Sequence, residues 1–178
     1  MKVIKILIVL FLIGLTVSCS TTIDATYNYD PQADFSDLKT FDWMRAPEKA
    51  SIDSLVVQRV KNAVNAELKA KGLMMTSNNP DFLIAEHIAK KDKAHVVVTD
   101  RGYNWGNREY RGIGRKLKYQ YEEGTLILDF VDTKSKILIW RGVAKTEIQN
   151  VDTPEEREKL INAVVKKIFK KYPPSSSK

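Results

Sequence analysis

Apolar positions recur along the 178 residues with two different periods, and each predicts its own kind of element. Over residues 52–71 the spacing is helical. Ile52, Val56, Val60, Ala63, Val64 and Leu68 fall on one stripe, with polar residues between them. A stripe at this period is the face that a helix turns to a core. Ser51 or Asp53 can cap its start, and Gly72 stands where a helix stops. A second helical stripe closes the chain: Leu160, Ile161, Val164, Val165, Ile168, Phe169 and Tyr172. Thr153-Pro154-Glu155-Glu156 before it is a capping box with proline at the first helical position. Lys159, Lys166, Lys167 and Lys170 take the opposite side, and the later ones suit the negative end of the helix.

Elsewhere the period is two, the signature of strands. Tyr27 and Tyr29 alternate with Thr26, Asn28 and Asp30 until Asp30-Pro31 breaks the run. "KTFDWM" is a short extended piece with Phe41 and Trp43 on one face. "SNNPD", residues 77–81, is a turn. "FLIAEHIAK" predicts a strand and "AHVVVT" its hairpin partner, with "KKDK" as the turn. Residues 124–148, "GTLILDFVDTKSKILIWRGVAKTEI", are the clearest hairpin, two apolar strands around the polar "DTKSK". Leu126, Leu128 and Phe130 take one face there, and Ile127, Asp129 and Val131 the other. Trp140 goes with Leu138 and Gly142 as packing. Arg141 points the other way, and Asp129 across the hairpin is its expected carboxylate. Paired strands with two long helices, without strict alternation, predict an α+β fold. The sheet is expected to be mostly antiparallel, with a mixed sheet as the alternative, and both helices are expected on one face.

The N-terminus follows neither period. Lys2 and Lys5 precede an apolar run over residues 6–15, interrupted only by Gly14. That run is shorter than the ~20 residues a membrane-spanning helix needs, and it reads as a secretory signal. "LTVSC" follows, with the chain's single cysteine, Cys19, at its end. The segment resembles a bacterial lipobox, in which the cysteine after the signal is acylated and becomes the first residue. Ser18 fits the small position before it, whereas Thr16 departs from the large aliphatic residue preferred there. A thiolate is the nucleophile such thioether chemistry needs. Several fatty acyl chains, palmitate among them, would anchor the protein at about 0.8 kcal/mol per buried CH₂. The expected organisation is a signal peptide over 1–18, an acylated N-terminus and tether over 19–25, one domain over 26–174 and a frayed tail over 175–178. Ser20 rather than aspartate after the cysteine implies outer-membrane delivery, with the domain facing the periplasm. With Cys19 consumed, no thiol is left for a disulfide, zinc or nucleophilic catalysis.

The formal charge of +7 stays positive without Lys2 and Lys5. Such a balance favours anionic lipid, lipopolysaccharide or cell-wall polymer, and export argues against nucleic acid. Residues 100–121 carry the densest candidate chemistry. Tyr103, Trp105 and Tyr110 interleave with Arg108, Arg111 and Arg115. Aromatic faces suit sugar rings, and guanidinium forks suit phosphate or carboxylate. These six residues are the candidate ligand-binding set.

"YDPQADFSDLKTFDW" (29–43), "EGTLILDFVDTKSKILIWRGVA" (123–144) and "INAVVKKIFKKYPP" (161–174) together resemble an uncharacterised family of bacterial envelope lipoproteins. That family is defined by a domain of unknown function, DUF4136. The resemblance covers the mature chain apart from residues 90–122. It implies an envelope lipoprotein and supplies no reaction.

No catalytic, metal or cofactor motif emerges. His87 and His95 match no metal-ligand spacing, although a hairpin at "KKDK" would bring them close. Glu86, Asp129 and Asp132 are the carboxylates available for acid–base work, and Asp132 is better explained as a turn former. "RGIGR" lacks the rest of a nucleotide fingerprint. The expected function is therefore a non-catalytic, lipid-anchored envelope protein that binds a periplasmic protein or glycan. The alternatives are an accessory subunit of an envelope transport or assembly machine, and a weak periplasmic hydrolase using Glu86, Asp129 or His87.

Overall fold

The computed structural model describes residues 22–45, 53–99, 115–148 and 151–174, with side chains except over 95–99 and 115–120. The strands are β1 (Ile23–Tyr29), β2 (Thr40–Trp43), β3 (Met74–Met75), β4 (Phe82–Thr99), β5 (Arg115–Asp132) and β6 (Leu138–Ile148). The helices are α1 (Ser54–Ala70), between β2 and β3, and α2 (Pro154–Ile168), which runs into a 3₁₀ turn over Phe169–Lys171. The strands form one sheet in the order β1-β6-β5-β4-β2-β3. β1, β6, β5 and β4 pair antiparallel, while β2 runs parallel to both β4 and β3, so the sheet is mixed.

Both helices form where the periodicity places them. The Asp53 carboxylate accepts from the Leu55 N–H and caps α1, and Gly72 at φ 86° turns the chain after it. Only glycine adopts that φ at little cost. At α2 the capping box is complete: Thr153 accepts from the Glu156 N–H, and Glu156 accepts from the Thr153 N–H at 3.1 Å.

Val60, Val64 and Leu68 of α1 and Val164, Val165 and Ile168 of α2 join one buried cluster. They meet Phe82, Ile84, Leu126, Leu128, Phe130, Trp140 and Ala144. The strand registers put these side chains on the same face of the sheet, so both helices cover that face. Its centre is aromatic. The Phe130 ring lies 4.6 Å from Phe82 and 4.7 Å from Trp140, and Tyr172 meets both Phe130 and Trp140 edge-on. Such offset and edge arrangements suit ring quadrupoles.

Two expectations change. "KKDK" is no turn: β4 runs through it as one 18-residue strand, and its partner is β5. Lys90 pairs with Glu122 at 3.2 Å and Lys93 with Glu123 at 3.5 Å. Cross-strand ion pairs and a continuous backbone ladder outweigh the local turn preference of a charged tetrapeptide. β1 also begins at Ile23, inside the stretch read as tether, because seven of its residues find partners on β6.

Candidate functional site

The sheet face opposite the helices carries a charged cluster at its centre. Asp129 and Arg141 stand directly opposite on β5 and β6. The Arg141 guanidinium donates twice, Nε to Oδ1 and Nη2 to Oδ2, each at 2.6 Å. This planar fork is the geometry arginine makes with a carboxylate. The Asp129 side chain is only 9% exposed, whereas that of Arg141 is 47% exposed. The carboxylate raises the pKa of Arg141 further, first through the hydrogen bonds and then through its charge. His87 Nε2 stands 3.7 Å from Asp129 Oδ2 on the same face. The pair read from strand phase is thus present, and its chemistry is that of a fixed ion pair under a solvent-facing imidazole.

Glu86 lies on the other face. Its carboxylate meets Lys61 of α1 at 3.2 Å, and the same ammonium sits 4.9 Å from the Trp43 ring centroid. Trp43 Nε1 donates to Asn65 Oδ1 at 3.0 Å. This cluster ties α1 to β2 and β4. Glu86 and Asp129 are therefore separated by the sheet, and they cannot flank one substrate as paired carboxylates. His87 and His95 are eight residues apart on one continuous strand, about 26 Å along it, so no hairpin brings them close. Among the described residues no group of three or more His, Cys, Asp or Glu could hold a metal.

One concavity is a polar cleft of about 590 Å³. It lies at the end of the sheet where β2 and β4 start and β5 turns into β6. Asp42, Ser77, Asn79, Asp81, Thr133, Lys134 and Lys136 line it. Its walls are fixed by hydrogen bonds. Asp81 accepts from the Lys39 and Thr40 N–H groups and from Thr40 Oγ1, at 2.8–2.9 Å. Thr133 Oγ1 donates to the carbonyls of Pro80 and Asp81, at 2.6 and 2.9 Å. Asp132 accepts from the Ser135 N–H and Oγ and from the Lys134 N–H, which makes it the turn former expected. Hydrogen bonds to the charged form hold Asp81 and Asp132 below the usual carboxylate range, from the Lys39 N–H first at Asp81 and the Ser135 N–H first at Asp132. Two aspartates, Asp42 and Asp81, thus line the cleft together with two lysines, Lys134 and Lys136. Neither lysine forms an ion pair among the described residues. Nothing in the sequence signalled the cleft, because its lining comes from three segments that only the sheet brings together.

A smaller, apolar slot of about 90 Å³ opens at the opposite end. Val56, Val60, Ile88, Leu126, Ala144 and Val164 are among its walls. It shares Val56, Ile148, Leu160 and Ile161 with a shallow groove edged by Lys90, Glu122, Asp152 and Arg157.

Tyr103, Trp105, Arg108, Tyr110 and Arg111 lie outside the described residues, as does Cys19. Arg115 is the first residue of β5, and its side chain is not described.

The family model described as Domain of unknown function (DUF4136) matches residues 25–174. The chain belongs to the DUF4136 family. The match spans β1 to the prolines after α2, so this DUF4136 domain is the whole α+β unit described above. No curated protein matches the chain. Solved structures share its fold at low identity. A PDZ domain protein from Parabacteroides distasonis superposes with a TM-score of 0.55 at 16% identity. The alignment covers 88% of this chain and 38% of that protein, so the DUF4136 chain spans well under half of it. A PelC dodecamer from Paraburkholderia phytofirmans gives a TM-score of 0.50 at 9% identity, covering 83% of this chain and 95% of that one. These likenesses establish the fold.

Proposed function

We propose that this DUF4136 protein is a non-catalytic binding module of the bacterial cell envelope, held by acyl chains on Cys19 at the outer membrane and facing the periplasm. The observation that carries the reading is the placement of "LTVSC" directly before β1. Cys19 is the fourth residue before Ile23, where the edge strand starts. At a reach of up to about 3.6 Å per residue, the tether holds that end of β1 within roughly 14 Å of the lipid. The Ile23 end of β1 is level with Thr146 on β6, Gly124 on β5 and Lys90 on β4. The polar cleft lies at the other end of the same strands, beside Asp81 and Thr133. Anchoring at Cys19 therefore leaves the cleft as the surface best placed to meet a periplasmic protein or glycan. Its lysines, aspartates, asparagine and serine suit a polar, hydroxyl-bearing partner. Tyr103, Trp105, Arg108, Tyr110, Arg111 and Arg115 are, on sequence grounds, a second candidate contact.

Mass spectrometry of the chain extracted from its own membranes tests the anchor. The expected N-terminus is Cys19 carrying lipid, and Cys19→Ala abolishes that species and releases the domain from the lipid-bound fraction. An unlipidated N-terminus, or an unchanged membrane fraction in the variant, overturns the anchor. In-cell crosslinking from Asn79 or Lys134 then tests the cleft. A retained protein or glycan, lost in Lys134→Glu/Lys136→Glu, supports the binding module, and the same capture from both chains rejects it.

A further inference from the structure

We propose that the two-stranded ribbon formed by the outer halves of β4 and β5 is a membrane-contacting arm, which seats on anionic phospholipid headgroups of the leaflet that holds the Cys19 lipid. The proposal rests on the anchoring reading above and names a partner for a part of the fold that reading uses only through Arg115.

Three observations converge on it. The first is position. β6 pairs with β5 only as far as Glu122, whereas β4 and β5 go on pairing with each other to Thr99 and Arg115. The ribbon projects from the end of the sheet where β1 begins. It leaves at the level of Asp92 and Glu122, two residues beyond Lys90 and Gly124, which are level with Ile23.

The second is length. From Lys90, level with Ile23, to Thr99 β4 extends about 30 Å at the usual strand rise. The tether spans roughly 14 Å at most. An end-on domain at full tether would drive the ribbon tip some 15 Å into the bilayer surface, by the same spacings. Tilting relieves the overlap and lays the ribbon along the headgroups. Laterally, β5 and β4 are two and three strands from β1, about 10–15 Å. Ribbon and anchor thus address one patch of membrane.

The third is composition. Beyond the base, "KAHVVVT" (93–99) pairs with "RKLKYQY" (115–121). These segments hold Lys93, Arg115, Lys116 and Lys118 and no Asp or Glu. The acidic residues Asp92, Glu122 and Glu123 sit at the base, where Glu122 and Glu123 pair with Lys90 and Lys93. The remainder is largely aliphatic and aromatic: Val96, Val97, Val98, Leu117, Tyr119 and Tyr121. Among the described residues no third strand pairs with these segments, and a two-stranded ribbon with three successive valines is marginal by itself and prone to aggregate. Basic, aromatic and aliphatic residues in this mixture suit the bilayer interface, where tyrosine and aliphatic groups find an apolar boundary and cations find phosphate.

The test uses the full chain with its native lipid, reconstituted into phosphatidylcholine vesicles with and without phosphatidylglycerol. The thioether consumes the Cys19 sulfur, so one introduced cysteine, Val97→Cys in the ribbon or Lys134→Cys at the far end, takes a polarity-sensitive dye. In vesicles containing phosphatidylglycerol the dye at 97 is expected to shift to shorter wavelength and to be quenched by lipid-borne quenchers. The dye at 134 does neither. Arg115→Ser/Lys116→Ser/Lys118→Ser weakens headgroup attraction by about fivefold per charge, on the order of 100-fold together, and abolishes the quenching at 97. That variant still floats with the vesicles on its lipid, and an unchanged circular dichroism spectrum shows that it folds. Equal, unquenched dyes at 97 and 134 overturn the arm while leaving the anchor intact. Quenching at 97 that survives the triple substitution and needs no phosphatidylglycerol overturns the anionic specificity. A chain that fails to float and takes dye at Cys19 overturns the anchoring reading, and the arm with it.

Discussion

Gly142 shows how one missing side chain organises the centre of the core. Trp140 and Gly142 lie on the same face of β6, and the fully buried indole spreads over the glycine. A Cβ at 142 would run into the Trp140 ring and the Ile168 Cγ2, far inside van der Waals contact. Both neighbours are held by other packing, Trp140 by Phe130, Phe169 and Tyr172, and Ile168 by α2. Gly142→Ala is therefore expected to cost about 1–3 kcal/mol, read as a lower midpoint in urea. Trp140 supplies the complementary test. Its Nε1 is buried with no hydrogen-bond partner among the described residues. Trp140→Phe therefore sacrifices no hydrogen bond and should be clearly milder than Trp140→Ala, for which about 3–5 kcal/mol is expected. Equal losses for the two would mean that the indole N–H matters after all. The same desolvation pushes the pKa of the Tyr172 phenol well above its usual value.

At the scale of elements, two polar devices hold the sheet together. The Asp129–Arg141 fork bridges β5 and β6 on the open face. Removing Arg141 strands a carboxylate that is nearly buried, while the guanidinium itself is half exposed. Arg141→Met is expected to cost roughly 2 kcal/mol, below the range for fully buried pairs because solvent reaches the site. The double change Asp129→Leu/Arg141→Met should recover most of that loss. A double variant as unstable as the sum of the singles would show that the pair contributes nothing as a pair. The second device is Asp81, which clamps the entry of β2 through the Lys39 and Thr40 N–H groups. Its folded-state pKa is depressed. The stabilisation is therefore present above the unfolded value, near 3.9, and is lost as pH falls through the lower folded value. Asp81→Asn should flatten the acid limb of the stability curve below about pH 4 and lower stability at pH 7 by on the order of 1 kcal/mol. An unaltered acid limb would remove Asp81 from that account.

For the molecule as a whole, the long axis of the sheet separates two environments. One end carries the polar cleft. The other carries the start of β1, the apolar slot and the projecting ribbon. If Cys19 bears the lipid, this polarity becomes an orientation, with the ribbon toward the bilayer and the cleft away from it. Lengthening the tether by several Gly-Ser repeats after Cys19 should then reduce the ribbon's headgroup contact while leaving the chain anchored, because a longer flexible linker lets the domain rise and turn. The measurement is the dye response at residue 97 in phosphatidylglycerol vesicles. An undiminished response would mean that the ribbon holds the surface without help from a short tether.

Much of this architecture was legible in the order of residues. The two helices and their caps rest on contacts a few residues apart, and the 124–148 hairpin pairs neighbouring segments across one short turn, so period, capping and turn chemistry are local. The Asp129–Arg141 pair followed from strand phase once that hairpin was placed. The course of β4 through "KKDK" was not legible, since what straightens those lysines is Glu122 and Glu123, some 30 positions away. Nor was the parallel seating of β2 beside β4, or the cleft, whose walls come from residues 42, 77–83 and 133–136 and converge only when the sheet closes. Short-range physics selects helices and hairpins. Pairing across long loops selects the strand partners, and with them which end of this molecule is polar and which carries the ribbon.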